Sequence, residues 1–466
     1  MAKPTFTQYH THTITHQCDP QTLATALSGA EFCHDYVVYE HNGEWAIGIN
    51  KLQQLTVDTQ GRITDFTGKV DQPNPKDLCD AIHQATQALP WDGWRVFGRV
   101  DFEFSHFAHQ LSHKMTHRNL LELFIAQHDI RVTHDQVVIR TVAPSFLPHI
   151  ERVIAEVTTP LPVAEPIAPL TQADILNHEQ IQHDYQAMVA AAVKEIVADD
   201  YKKVILSRRA TLPAAIDIRR SFISGRGKNT PARSFLLKLG ELEAFGFSPE
   251  TVLEVDNLGH LSTQPLAGTR FLPADPIEAE RLKKELTTDP KEIAEHATSV
   301  KLAIEELEQV CEQETVNVAQ FMEVSERGSV QHLASRVTGQ LAQDKSAWNA
   351  FKVLFPAITA SGIPKREAIE AITRYEPTSR GLYSGSVLIA DQDGFFDAAL
   401  VLRAAYKRHS LSMLQAGAGI ISLSTPDREW QETCEKMACV LDHLIFETAI
   451  KDKQSTNTQD NREVEV

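Results

Sequence analysis

Asp184-Tyr-Gln-Ala-Met-Val-Ala-Ala-Ala-Val-Lys-Glu-Ile-Val197, followed by Lys203-Val-Ile-Leu-Ser207, sets a helix pattern directly before a strand pattern. Tyr185, Met188, Val189, Ala192, Ile196 and Val197 recur at helical spacing behind Asp184, which can cap the first turn. Lys203 to Ser207 is short, apolar and β-branched, the pattern of a buried strand. Helix and strand patterns continue from there to about Ala449, so the class is α/β (α+β). Residues 451–466 are polar and aperiodic and are expected to be a disordered tail. Upstream, Pro160, Pro162, Pro166 and Pro169 exclude regular helix or central strand between Thr158 and Pro169. They mark a boundary near 170, between a region 1–170 and a region 171–450. Within the first, Trp94 to Phe104 and Val137 to Val142 have strand composition, and Leu120 to Gln127 reads as helical.

Of the 466 residues 42% are hydrophobic and 23% charged, the balance of a soluble globular protein. A net charge of −17 argues against nucleic acid and anionic membrane as partners, since both call for a basic face. An anionic substrate must therefore meet locally placed Arg, Lys or metal. Cys18, Cys33, Cys79, Cys311, Cys434 and Cys439 are scattered without a Cys-x-x-Cys, which suggests neither a disulfide framework nor a zinc site. There is no apolar run of membrane-spanning length and no apolar core near the N-terminus, so a cytoplasmic location is expected.

Two Glu-x-x-Glu pairs, Glu292/Glu295 and Glu429/Glu432, lie in the first turns of expected helices, with Lys436 one turn beyond the second. Residues three apart share a helix face, and a few oxygen ligands suit Mg²⁺, which keeps several waters. A bland reading competes. Asp289-Pro290-Lys291-Glu292 has a capping Asp, Pro at the first helical position and Glu three residues after the cap. A solvated face also accounts for both pairs, which point away from the stripes Ile293, Ala297, Val300, Ile304, Leu307 and Trp430, Cys434, Met437, Leu441, Leu444. On spacing alone this reading is the better one. His10, His12 and His16 alternate as on an exposed strand edge. Gly225-Arg-Gly-Lys228 lacks the spacing of a phosphate loop and reads as a plain loop. Gly417-Ala-Gly419 follows a β-like segment and implies close backbone approach to something.

Several segments occur together in one order. They are Lys203-Val-Ile-Leu-Ser-Arg208, Ser248-Pro-Glu250, Pro265-Leu-Ala-Gly-Thr-Arg270, Lys291-Glu-Ile-Ala-Glu-His296, Gln331-His332-Leu, Phe355-Pro-Ala-Ile-Thr-Ala-Ser-Gly-Ile-Pro-Lys365, Arg380-Gly-Leu-Tyr-Ser-Gly385, Ala416-Gly-Ala-Gly-Ile420 and Glu429-Trp-Gln-Glu-Thr-Cys-Glu-Lys436. Across residues 185–447 this closely resembles the chorismate-utilising enzymes. The resemblance implies a single large fold in which antiparallel β-sheets from both halves pack together and are flanked by helices, with residues 1–170 as scaffold. It implies Lys203 as the base and Glu250 as the acid of a ring substitution. Glu292, Glu295, Glu429 and Glu432 would surround Mg²⁺, and Lys436 with Gly268 and Thr269 would take the ring carboxylate. Arg403 and Tyr383, with backbone N–H groups at Gly417 and Gly419, would hold the enolpyruvyl carboxylate. Ile205, His332 and Thr359 would line the ring.

Lys203 points to water as nucleophile, because the ammonia-using relatives lack it. Ala267 stands where aminodeoxychorismate synthases carry a nucleophilic lysine. Thr359 and Tyr383 resemble the salicylate synthases of siderophore pathways, where plain isochorismate synthases tend to carry Ala and Phe. The expectation is therefore conversion of chorismate through isochorismate to salicylate and pyruvate, by a monomer needing no glutaminase subunit. The alternatives are an isochorismate synthase that releases its product and a non-catalytic chorismate-binding protein. Gln264 departs from the Glu common in relatives before Pro-Leu-Ala-Gly-Thr.

Overall fold

The computed structural model describes residues 8–112, 118–157, 176, 178–327 and 330–447. The proline-rich stretch and the 451–466 tail lie outside the described residues. Two long strands, β1 (Glu44–Asp58) and β2 (Asn119–Val132), pair antiparallel along their length and organise everything else. At one end β1 continues through Tyr36–His41, Arg233–Leu239, Leu242–Ser248 and Ala404–Arg408. Beyond these come β6 (Leu411–Ile420) and its neighbour β3 (Lys203–Thr211). At the other end β2 continues through Arg95–Val100, Ser386–Asp391, Phe396–Leu400, Thr251–Val255 and His260–Thr263. That limb passes to β5 (Val330–Gln340), which also pairs with β4 (Leu266–Phe271), and ends on Asn317–Arg327. The result is one connected antiparallel sheet with two limbs, and each limb contains strands from before and from after residue 170.

Side-chain alternation sorts the limbs into layers. Val37, Tyr39, Leu237 and Tyr406 of the first limb face Phe97, Val387, Ile389 and Ala399 of the second, forming the central core. The opposite face of the first limb, with Val38, Leu236, Phe245 and Leu414, is covered by helices that include α1 (Glu179–Val197), α3 (Lys365–Tyr375) and α4 (Pro426–Leu441). The outer face of the second, with Val96, Leu388 and Leu400, is covered by Leu78–Gln87, Ala347–Leu354 and α2 (Pro290–Leu307). Buried charge crosses the central layer: Arg233 grips Asp397 through Nε (2.9 Å) and Nη2 (2.6 Å). The Tyr39 hydroxyl donates to the same carboxylate.

Two expectations need correction. Leu120 to Gln127 is strand, because β2 passes through both limbs: Leu121, Leu123 and Ile125 face one helix layer, Phe124 and Ala126 the central core, and Ile130 and Val132 the other helix layer. Buried on both faces, it shows no period-two alternation. The helix before Lys203 starts earlier than expected, capped near His178, and Asp184 lies inside it. His10 and His12 sit exposed on an edge strand paired with Gln136–Thr141, as their spacing suggests. Gly225 and Arg226 close the short helix Ile218–Arg226, with Asn229 Nδ2 donating to the Gly225 carbonyl.

Candidate active site

The central layer opens at the end of β3 and β6. On β6, Leu414, Ala416, Ala418 and Ile420 pack into the helix-side core, so Gln415, Gly417 and Gly419 face the other way. On β3, Val204 and Leu206 do the same, which turns Lys203, Ile205 and Ser207 to that side, opposite the β6 glycines. The glycines there give clearance. A Cβ on Gly417 would lie 3.0 Å from the Tyr383 hydroxyl, and one on Gly419 3.3 Å from Lys203 Cε.

Two adjoining spaces result, of about 100 and 90 Å³. Glu250, His332, Tyr383, Arg403 and Gly417 line the first. Lys203, Gly268, Gly419 and all four glutamates, Glu292, Glu295, Glu429 and Glu432, line the second. Ile205, Thr269, Thr359 and Lys436 border both. Every residue picked out in the sequence as a candidate thus converges on one region. Gln264 is half-buried and borders neither space.

The bland reading fails on burial for one glutamate of each pair. Glu292 is 5% exposed and Glu429 2%, while Glu295 and Glu432 are partly exposed. Asp289 caps α2 through the Lys291 N–H, while the Glu292 carboxylate accepts from Arg270 Nη1 at 2.8 Å. Gly268, at φ +82° in a bulge of β4, brings the backbone against that carboxylate, where a Cβ would lie 3.1 Å from Oε2. Glu295 meets Lys203 Nζ at 2.5 Å. Burial works against the charged form of Glu295, but the lysine outweighs it and keeps the pKa below the usual range. Lys436 Nζ lies 2.8 Å from Glu432 and donates to the Gly417 carbonyl at 2.9 Å. Burial, and then repulsion from Glu432, push Glu429 up to about 7.

In the larger space, burial pushes Glu250 up to about 8, and the Thr359 hydroxyl donates to Oε1. Glu250 is therefore largely protonated at neutral pH. His332 is the reverse case. Burial, then the charge of Arg403, hold it well below the usual histidine range, and Arg403 Nη2 donates to Nε2 at 2.7 Å. Because arginine only donates, Nε2 must accept, and Nδ1–H is left to donate to Thr269 Oγ1 at 2.9 Å. A neutral histidine thus fixes the guanidinium, leaving its charge for a ligand anion.

The donor set fits a hard divalent cation. Four carboxylates border one space, and one of them, Glu429, is driven toward its neutral form by burial and then by repulsion from Glu432, both of which a cation would offset. Glu292, Glu295 and Glu432 pair with Arg270, Lys203 and Lys436 respectively. Among the described residues, the ligand atoms that already stand within mutual reach are those of His41, Glu254 and Asp397, and Arg233 ion-pairs with both of these carboxylates. Sequence reasoning missed Gln415 and the role of Arg270. Gln415 shares the period-two face of Gly417 and Gly419, a signal that was readable. Arg270 ends the Pro-Leu-Ala-Gly-Thr run, but its partners Glu285, Asp289 and Glu292 come together only through the fold.

The family model for chorismate binding enzymes matches residues 34–442. The salicylate synthase of Mycolicibacterium paratuberculosis is 37% identical over 437 residues, covering 92% of this chain and 94% of that protein. Among solved structures, anthranilate synthase component I from Streptococcus pneumoniae TIGR4 superposes with a TM-score of 0.71 at 23% identity, covering 87% of this chain and 92% of that one. The menaquinone-specific isochorismate synthase of Escherichia coli gives 0.70 at 19%, covering 95% and 96%. Those two likenesses concern the fold, whereas the family match spans both limbs and both spaces of the site. The chain belongs to the chorismate binding enzymes and is a chorismate-utilising enzyme.

Proposed function

We propose that the protein is a salicylate synthase, which converts chorismate through isochorismate to salicylate and pyruvate. The observation that carries this reading is Glu250: a sealed carboxyl, held protonated by burial and touched by Thr359, across the shared wall from Lys203. Such a pair can supply an acid and a base to the two ends of one allylic substitution. Lys203, in its deprotonated form, takes a proton from water as the water oxygen bonds to ring C2. Both ring double bonds shift, the C4–O bond breaks, and Glu250 gives its proton to the departing hydroxyl, which leaves as water. In the second stage the C2 hydrogen passes to the enolpyruvyl methylene carbon as the C3–O bond breaks. Pyruvate departs and the ring becomes aromatic. That stage exchanges no proton with the protein and depends on how the side chain is held.

Arg403, freed by neutral His332, and Tyr383 hold the enolpyruvyl carboxylate. Lys436 and the Gly268–Thr269 backbone hold the ring carboxylate. Glu292, Glu295, Glu429 and Glu432 would bind Mg²⁺, which when present supplies a positive centre for the ring carboxylate. The near-full-length likeness to a salicylate synthase supports this reading over the ammonia-using branch, as do Lys203 and Ala267. A siderophore pathway in the cytoplasm, served by a monomer without a glutaminase, follows from the same reading.

The test is incubation of the purified protein with chorismate and Mg²⁺, with products separated by chromatography. Salicylate and pyruvate in equal amounts, lost on adding EDTA, are expected. Accumulated isochorismate would reduce the protein to a synthase, and unchanged chorismate would make it a binding protein.

A further inference from the structure

Arg380 lies behind the wall of the larger space and does not border it, yet its guanidinium is bonded to the segments that do. It is 2% exposed and all five of its N–H donors are used. Nε and Nη2 form a fork on Glu376, at 3.0 and 2.6 Å. Nη2 also donates to the Ile205 carbonyl at 2.6 Å, and Nη1 to the Ala360 carbonyl at 2.7 Å and Ser384 Oγ at 3.3 Å. Its centre lies 5.6 Å from the Tyr383 ring centroid. Glu376 in turn accepts from the Ser207 N–H at 2.7 Å and from Ser207 Oγ at 2.9 Å, which ties the fork to β3.

These three acceptors sit next to or within the residues that shape the space: Ile205 itself, Ala360 beside Thr359, and Ser384 beside Tyr383. Three chain segments that share no covalent neighbour are thereby held to a single rigid plane. We infer that Arg380, anchored by Glu376, is a positioning residue that sets Ile205, Thr359 and Tyr383 around the substrate, and that the pyruvate-eliminating stage depends on it more than the substitution stage. The reason is chemical. The first stage has its own acid and base, whereas the second has only the geometry in which the side chain is held, and a displacement of about 1 Å can cost roughly 100-fold there. Lysine at this position keeps the charge but loses the planar fork.

This inference rests on the salicylate-synthase reading, and the test separates the two. Arg380→Lys and the milder Ser207→Ala are compared with the unaltered enzyme for thermal unfolding, for kcat and KM of chorismate consumption, and for the ratio of free isochorismate to salicylate. Expected for Arg380→Lys is a fall in salicylate kcat of about 10- to 100-fold, a smaller fall in chorismate consumption and a rise in the isochorismate share. Ser207→Ala should move in the same direction by a few-fold, and it decides the matter if Arg380→Lys does not fold. A purely structural role would lower the unfolding midpoint and leave kcat per folded molecule and the product ratio unchanged, which would overturn the inference. If the unaltered enzyme makes no salicylate, the functional reading fails, and unchanged kcat for chorismate consumption in the folded variants then overturns the positioning role as well.

Discussion

Glu250 owes its chemistry to its place. A carboxyl in water would be ionised at neutral pH, but this one, 2% exposed and pushed up to about 8, keeps its proton. The form needed as an acid is present below that value and lost above it. The pH–rate profile should therefore show kcat falling as pH rises through about 8, and Glu250→Gln should lower kcat about 10²- to 10⁴-fold and remove that alkaline fall. An unchanged alkaline limb in the variant would place the titration elsewhere. Much of this was legible in the sequence, though through ordered motifs and not through spacing. By spacing alone Glu292 was a capping residue, and only its contact with Arg270 and its burial decide otherwise. Arg270 and Arg380 were unreadable as site-builders because their partners are brought to them by the fold.

At the scale of elements, the site depends on two glycines in β6 and on two helix N-termini. A methyl group on Gly417 would stand 2.9 Å from the Leu206 carbonyl oxygen and 3.0 Å from the Tyr383 hydroxyl. Gly417→Ala should thus displace Tyr383, cost about 1–3 kcal/mol of stability by overpacking, and raise KM for chorismate, as steady-state kinetics and denaturant unfolding would record. Helices α2 and α4 present the four glutamates. If these hold Mg²⁺, the ion at 100 times its dissociation constant should stabilise the fold by about 2.7 kcal/mol, read as a rise in unfolding midpoint that Glu429→Gln diminishes and EDTA reverses. The misreading of Leu120 to Gln127 belongs to this scale too. Strand alternation is visible only when one face meets water, and β2 has no such face.

Across the whole molecule, the two limbs act as one unit because β1 and β2 run through both and because Arg233 and Asp397 pair between them. Removing one partner of so buried a pair leaves a charge uncompensated. Arg233→Leu should cost about 3–5 kcal/mol in denaturant unfolding, far more than a surface change. The mixed α/β class was legible from the helix and strand patterns. That sheets from before and after residue 170 join in one assembly was an implication of the family resemblance, since no local pattern reveals which distant strands pair.

The most direct measurement of the proposed chemistry is the reaction with chorismate in water enriched in ¹⁸O, with salicylate examined by mass spectrometry. If water adds at C2 under Lys203 and the ring then loses pyruvate, the salicylate must carry one heavy oxygen, in its phenol group. Unlabelled salicylate, or none at all, would contradict the mechanism.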